Sequence, residues 1–261
     1  MRALSIAASG MQAQQLNVDV ISHNIANMNT TSYKRQRAEF QDMLYQNLER
    51  PGSTSSASGG VLPLGIQLGV GVRADAVGRV TEQGGIAATG NPYDIAINGR
   101  GYFQITMPSG QTGYTRAGNL AVNADGQIVT ADGYPLEPAI TVPAEATAIQ
   151  ITRDGIVEVT LAGQTDPQQI GQLEIASFIN PAGLEGIGDN LFLETPASGT
   201  ATTATPGSPG LGTLMQGYLE LSNVNAVEEI SALIVAQRAY EMNARVITAA
   251  DEMLQSTTQL R

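Results

Sequence analysis

Two stretches of the chain repeat apolar residues at alternating steps of three and four, and they lie at opposite ends. Near the start, Leu4, Ala7, Met11, Gln14, Val18, Ile21, Ile25 and Met28 form a heptad-like seam with one polar break at Gln14. The pattern predicts a helix from about Leu4 to Asn27. The run NMNTTS at residues 27–32 ends it, because Asn, Thr and Ser side chains bond their own backbone in turns. Near the other end, Val227, Ile230, Leu233, Ile234, Tyr240, Ala244, Ile247 and Leu254 recur at helical spacing, and neither Pro nor Gly interrupts residues 219–261. Asn225 followed by Glu228 has the form of a capping box. The pattern predicts a second helix from Ala226 to about Ser256, on the order of 45 Å long. Both stripes are narrow, which suits a helix as partner better than a sheet.

Between the ends the period changes to two. Residues 50–65, RPGSTSSASGGVLPLG, are Ser/Gly/Pro-rich and read as an extended segment. From Ile66 short strands alternate with turns at 108–110, 124–126, 131–133 and 153–155, each ending in Gly. IAINGRGYFQIT (95–106) predicts a hairpin about Asn98 and Gly99, GQIVTADGYPLEP (126–138) predicts another, and GQLEIASFINP (171–181) predicts one strand. TPASGTATTATPGSPGLGT (195–213) is a second low-complexity stretch.

The predicted fold class is therefore α+β. Long N- and C-terminal helices pair as a coiled-coil-like layer, with a central all-β domain between them. The organisation is 1–49 for the first helix and the start of a connector, 50–65 for the extended segment and 66–194 for the β-rich domain. A return linker follows at 195–214, and 215–261 holds the last helix.

Charge follows these divisions. Residues 1–49 carry four basic and four acidic side chains, 50–214 six and fourteen, and 215–261 three and six, within a net charge of −11. No extended basic patch exists, which argues against nucleic-acid binding. Lys34, Arg35 and Arg37 read as a solvated helix end or loop. No run reaches transmembrane length, so no direct membrane insertion is predicted, nor is a cleaved leader. The 29 glycines and the absence of Trp suit many tight turns better than a deep aromatic pocket.

Candidate chemistry is sparse. With no Cys and a single His, His23, thiolate metal sites and Cys nucleophiles are excluded, and a Ser-His-Asp triad would need His23 brought from a helix. Asp125, Asp132 and Asp154 each precede a turn Gly, which explains them without catalysis. No catalytic, cofactor-binding or metal residues are predicted, and no cofactor. The remaining enzymatic alternative is a carbohydrate-active enzyme or adhesin built on the β domain.

Four separated blocks, SHNIANMNTTSYKR, NPYDIAINGRGYFQI, GYTRAGNLAVNADGQIVTADGYPLEP and SNVNAVEEISALIVAQRAYEMNARVITAADEML, resemble the bacterial flagellar rod and hook family, in the family's order. The resemblance implies a non-enzymatic building block of the basal body. Length, residues 50–65 and GQLEIASFINPAGLEGIGDNLFLET point within the family to the distal rod. Such subunits form a rigid hollow helical tube that transmits motor torque and passes exported subunits. The implied partners are further copies of the chain, proximal rod proteins, the hook protein, the P and L ring proteins and the flagellar export apparatus. The implied location is the basal body, across the periplasm to the outer-membrane ring. By the resemblance, Leu4, Met11, Val18, Ile21, Ile25, Ile230, Leu233, Tyr240, Ile247 and Leu254 make subunit contacts in an inner helical layer. Asn24, Asn27, Thr30, Tyr33, Asn223, Gln237 and Arg238 match the family motifs. Ser32 stands where the family often has Gly. Residues 46–65 are associated in the family with straightness, and we expect them to wedge between axially adjacent subunits.

Overall fold

The structure, a computed structural model, describes residues 2–49, 65–164 and 166–259. The chain divides into two compact units, one of Met1–Ala26, Gln36–Gly78 and Asn225–Arg261, the other of Asn27–Arg35 and Arg79–Val224.

In the first unit, helices α1 (Arg2–Ala26) and α2 (Ala226–Gln259) lie side by side, each within a few residues of its predicted bounds. The Val227 N–H donates to Asn225 Oδ1 at 3.1 Å, and Asn225 Nδ2 donates to Glu228 Oε1 at 3.1 Å. The capping pair thus forms, with Glu228 bonded to the cap's side-chain amide. Strand β1 (Gln36–Asp42) pairs with β4 (Val72–Arg79), and β2 (Tyr45–Glu49) pairs antiparallel with β3 (Ile66–Gly69). Bonds from Met43 N–H to Gly71 O (2.8 Å) and from Val70 N–H to Leu44 O (3.2 Å) join the pairs into one ribbon.

An isolated two-stranded ribbon is marginally stable in water. This one is seated on α1, where the Val72 N–H donates to Ser9 Oγ at 3.3 Å. Gly71, at φ +135°, lies so close to Ser9 that no side chain fits there. Residues 66–78, read from the sequence as the opening of the β domain, group with the helices for this reason. Of the extended segment 50–65, all but Gly65 lies outside the described residues.

The second unit is all β. In chain order it holds β5 (Ile86–Ala88), β6 (Ile95–Asn98), β7 (Tyr102–Thr106), β8 (Thr112–Thr115), β9 (Leu120–Val122), β10 (Ile128–Thr130), β11 (Leu136–Glu137) and β12 (Ala146–Ile151). Then come β13 (Ile156–Leu161), β14 (Gln168–Gln172), β15 (Ile175–Ser177), β16 (Glu185–Gly188), β17 (Leu191–Leu193), β18 (Thr202–Ala204), β19 (Thr213–Gln216) and β20 (Tyr218–Glu220). A seven-stranded sheet runs β16-β17-β8-β7-β15-β18, with β11 also on β7; β12-β13-β14 form a three-stranded sheet. Alternation along β7 divides the apolar residues. Phe103 and Ile105 join Ile95, Ile97, Val157, Val159, Ile175 and Leu214 in the main core. Tyr102 joins Tyr114, Ala176, Phe178 and Leu184 in a smaller cluster, with Tyr114 and Phe178 edge-to-face at 4.8 Å.

The four predicted turns form as read, with Gly110, Gly126, Gly133 and Gly155 all at φ between 78° and 86°. The hairpin predicted about Asn98 and Gly99 does not form. Strand β6 pairs with β19, and β7 pairs with β8, β11 and β15. The tight two-residue turn needs positive φ at both central residues, and Asn98 does not supply it. The second predicted hairpin is partial: Val129 bridges Pro135 and the Thr130 N–H donates to Tyr134 O at 2.8 Å, but β10 and β11 pair with other strands. The strand predicted over 171–181 is split between β14 and β15. Residues 195–213 contribute β18 and the start of β19.

Candidate assembly surface

The residues that the two helices bury are mostly small or polar. On α1 the buried positions are Ala7, Ala13, Val20, Ile21 and Asn24; on α2 they are Glu229, Ala236 and Ala250. Gly10 packs against the Asn243 side chain of α2, since a Cβ there would lie 2.9 Å from Asn243 Nδ2. Ala7 and Ile21 belong to the predicted heptad, and the other buried α1 residues, Ala13, Val20 and Asn24, each lie one position before a heptad member. Of the residues expected to make subunit contacts, Ile21 is buried, and Leu4, Met11, Val18, Ile25, Leu233 and Ile247 are half-buried. Ile230, Tyr240 and Leu254 are exposed.

Much of the apolar surface of α2 stays in water. Val227 is 73% exposed, Val235 67% and Met242 62%, and Ile230, Ile234 and Val246 are also exposed. Scattered apolar side chains are ordinary on a surface, but a row along one 34-residue helix is not.

Asn24 is the polar anchor of this unit. Its Oδ1 accepts the Gln36 N–H at 2.8 Å, and its Nδ2 donates to Gln36 O at 2.8 Å and to Glu229 Oε2 at 3.2 Å. One side chain thus acts as a strand partner for β1 and ties the end of α1 to the first turn of α2. Both Asn24 and Glu229 are buried, so each of these bonds replaces a lost bond to water.

In the second unit Asn27, Thr30, Tyr33 and Asn223 build the segments that lead to and from the helices. Asn27 O accepts the Thr30 N–H at 3.1 Å, and Thr30 O accepts the Tyr33 N–H at 3.2 Å. Asn223 spans three passes of the chain. Its Oδ1 accepts the Arg35 N–H at 2.7 Å, and its Nδ2 donates to Val80 O at 3.1 Å and Glu82 O at 3.0 Å. Ser32 stands at φ +57°, the left-handed region that favours Gly. Its N–H donates to Glu220 O at 2.8 Å and its Oγ donates to Arg116 O at 2.9 Å. Gln237 and Arg238 are exposed on α2.

These passes close over a buried ionic cluster. Glu220 is 1% exposed. Its Oε1 lies 2.6 Å from Lys34 Nζ and its Oε2 2.6 Å from Arg116 Nε. Lys34 also donates to Glu82 O at 2.8 Å. The Arg116 guanidinium further donates to Ile97 O, Gly99 O and Gly101 O at 3.1, 2.6 and 2.8 Å. The loop after β6 is thus wrapped around a guanidinium, where a hairpin had been predicted. Lys34 is buried, and this corrects its reading as a solvated loop residue; Arg37 alone of that run is largely in water.

Burial pushes the Lys34 ammonium below its ordinary pKa, and the bond to Glu220 opposes that shift. Burial raises the Tyr102 phenol, against the nearby Arg116 and Arg79. Sequence reasoning missed Glu220 and Arg116. The one available signal was a carboxylate inside the apolar run YLEL at 218–221. Among the described residues no His/Asp/Glu cluster could hold a metal ion, and no helix is long and apolar enough to cross a membrane.

Family models match at three places. They are described as flagella basal body rod protein (residues 4–34), flagellar hook protein FlgE/F/G D1 domain (96–159) and flagellar basal body rod FlgEFG protein C-terminal (215–260). Similar proteins include the flagellar basal-body rod protein FlgG of Caulobacter vibrioides, 62% identical over 261 residues with all of both chains covered. The protein of that name from Agrobacterium fabrum is 53% identical over 253 residues, 97% of each chain. That of Bacillus subtilis is 39% identical over 267 residues, 100% of this chain and 99% of the other.

Proposed function

The chain belongs to the flagellar basal-body rod protein family, and from that membership we propose that it is a non-enzymatic structural subunit of the distal rod. Its task is to polymerise into a rigid hollow tube. The tube crosses the periplasm, carries motor torque to the hook and leaves a channel for exported subunits. It joins proximal rod proteins at one end and the hook protein at the other, and turns inside the P and L rings. The flagellar export apparatus delivers it.

The observation that carries this reading is the uncovered apolar face of α2. The helix pair buries small residues such as Ala7, Ala236 and Ala250 and packs Gly10 against Asn243, which leaves larger side chains such as Val227, Val235 and Met242 for another surface. Covering a Val or Met side chain is worth about 1.5–3 kcal/mol, so each uncovered position favours association. The test is to concentrate the purified chain and follow polymer by sedimentation and electron microscopy. Straight tubes are expected; a chain that stays monomeric at every concentration overturns the reading. Removing residues 50–65 is expected to give curved or flexible polymers. Straight rods from that deletion would overturn the role assigned to the segment.

A further inference from the structure

Asn98 and Gly99 form the one Asn-Gly pair in the chain. In an unstructured chain such a pair loses ammonia without an enzyme. The Gly nitrogen, once deprotonated, attacks the side-chain carbonyl carbon of the Asn. The new N–C bond closes a succinimide ring, the Cγ–Nδ2 bond breaks, and Nδ2 leaves as ammonia. Water then opens the ring at either carbonyl and gives Asp or isoaspartate, with no change of oxidation state. Gly is the vulnerable neighbour because it has no side chain to hinder the attack.

The fold requires this labile neighbour. Gly99 stands at φ +113°, and a Cβ there would lie 2.9 Å from Gly212 Cα, a main-chain atom that cannot swing aside. The same bend delivers Gly99 O to the Arg116 guanidinium at 2.6 Å. Asn98 is exposed, so water reaches it. The bend around Arg116 thus places a Gly directly after an exposed Asn.

A second contact opposes the reaction. Gln83 spans Asn98 with both ends of its side-chain amide. Its Oε1 accepts the Gly99 N–H at 3.0 Å, and its Nε2 donates to Ile97 O at 3.0 Å. The bond to Gln83 occupies the proton that the Gly99 nitrogen must lose before it attacks. Ring closure also requires rotation about the Asn98 Cα–C bond out of the extended range, which would break the pairing of Asn98 with Thr213 between β6 and β19.

We propose that Asn98 is a site of spontaneous deamidation that the fold holds shut, with Gln83 as the guard on the attacking nitrogen. The modification belongs to the unfolded chain, and folding stops it. An isoaspartate at this position adds the Asn98 Cβ to the main chain. That displaces Gly99 O and Gly101 O from Arg116 and so loosens the cluster about Glu220. The proposal is independent of the polymer reading.

The test incubates the full chain in mildly alkaline buffer, folded and in urea, and reads Asp and isoaspartate at position 98 by peptide mapping and mass spectrometry. Product is expected in urea, and at least roughly tenfold more slowly in the folded chain, where the site must first open. Gln83→Ala, still folded by its tyrosine signal, should deamidate at Asn98 about two- to tenfold faster than the native chain, the worth of one neutral hydrogen bond. Asn123, in a turn of the same unit, is the internal reference and should keep its native rate. Hydrogen exchange on the unaltered chain gives a reading that does not depend on the variant folding. The Gly99 amide is exposed and donates to Gln83, so it should exchange more slowly than in an unstructured peptide. Equal deamidation of folded and unfolded chain, or a Gly99 amide that exchanges at the peptide rate, overturns the proposal. A folded Gln83→Ala no faster than native, or an acceleration shared by Asn123, overturns the role given to Gln83.

Discussion

Replacing Glu220 by Gln keeps the shape of the buried side chain and removes its charge. Two charge-assisted bonds, each 2.6 Å long in the native chain, then lose their anion. The amide retains one oxygen to accept from Lys34 or Arg116 and turns an N–H₂ donor toward the other. Charge-assisted bonds are worth about 1.5–3 kcal/mol each, and removing one member of a buried ion pair costs about 3–5 kcal/mol. We expect a loss of about 4 kcal/mol, which is a large share of the 5–15 kcal/mol typical of a domain. For a unit of this size that is a fall of about 10–15 °C in midpoint. Denaturant unfolding of the dilute protein, followed by near-ultraviolet tyrosine signal, reads the β unit, where Tyr102 and Tyr114 are packed.

The control is Glu39→Gln. Its pair with Arg37 is 2.7 Å long, but the two side chains are 48% and 64% exposed, so the expected loss is at most about 0.5 kcal/mol. The pH dependence gives an independent check. The native Lys34 pKa lies below 10.5, so between the two values the unfolded chain holds more protons and stability rises with pH on account of this group. Without the Glu220 charge the native value falls further, and that window widens. The Glu220→Gln deficit should therefore shrink from pH 7 toward pH 10. A loss below about 1 kcal/mol at pH 7, or a deficit that grows with pH, would refute the reasoning.

Asn24→Ala removes the bonds to Gln36 and Glu229 from a buried site. An expected cost of about 2–4 kcal/mol should appear in helix unfolding followed by far-ultraviolet circular dichroism. Ser32→Gly relieves a left-handed residue while losing the bond to Arg116 O, so its stability should stay within about 1 kcal/mol of native. Ser32→Ala loses the bond without relief and should cost more in the same denaturant titration. Tyr102 has a native pKa above 10, so the unfolded chain releases its proton first and stability falls as pH rises past 10. Tyr102→Phe should be within about 1 kcal/mol of native at pH 7 and lose stability less steeply above pH 10. Equal alkaline slopes for the two proteins would contradict that assignment.

The two terminal helices were legible in the sequence because their bounds rest on local chemistry: the three–four apolar step, the Asn225 cap and the turn run after Asn27. The glycine turns were legible for the same reason, since a positive φ selects Gly wherever it occurs. The side of each helix that faces the other was not. It turns on how closely the two helices approach, and small residues such as Gly10 and Ala236, neither of which belongs to the predicted stripes, permit a nearer approach than large ones. Strand pairing was also beyond a local reading. Asn98 and Gly99 carry a hairpin signal, yet the carbonyls of Ile97, Gly99 and Gly101 turn to Arg116, a residue that only the folded sheet brings there. The same holds for Glu220, whose two cations come from positions 34 and 116. Residue spacing specifies which elements form. Which charges and carbonyls share a buried site depends on long-range contacts that spacing does not contain.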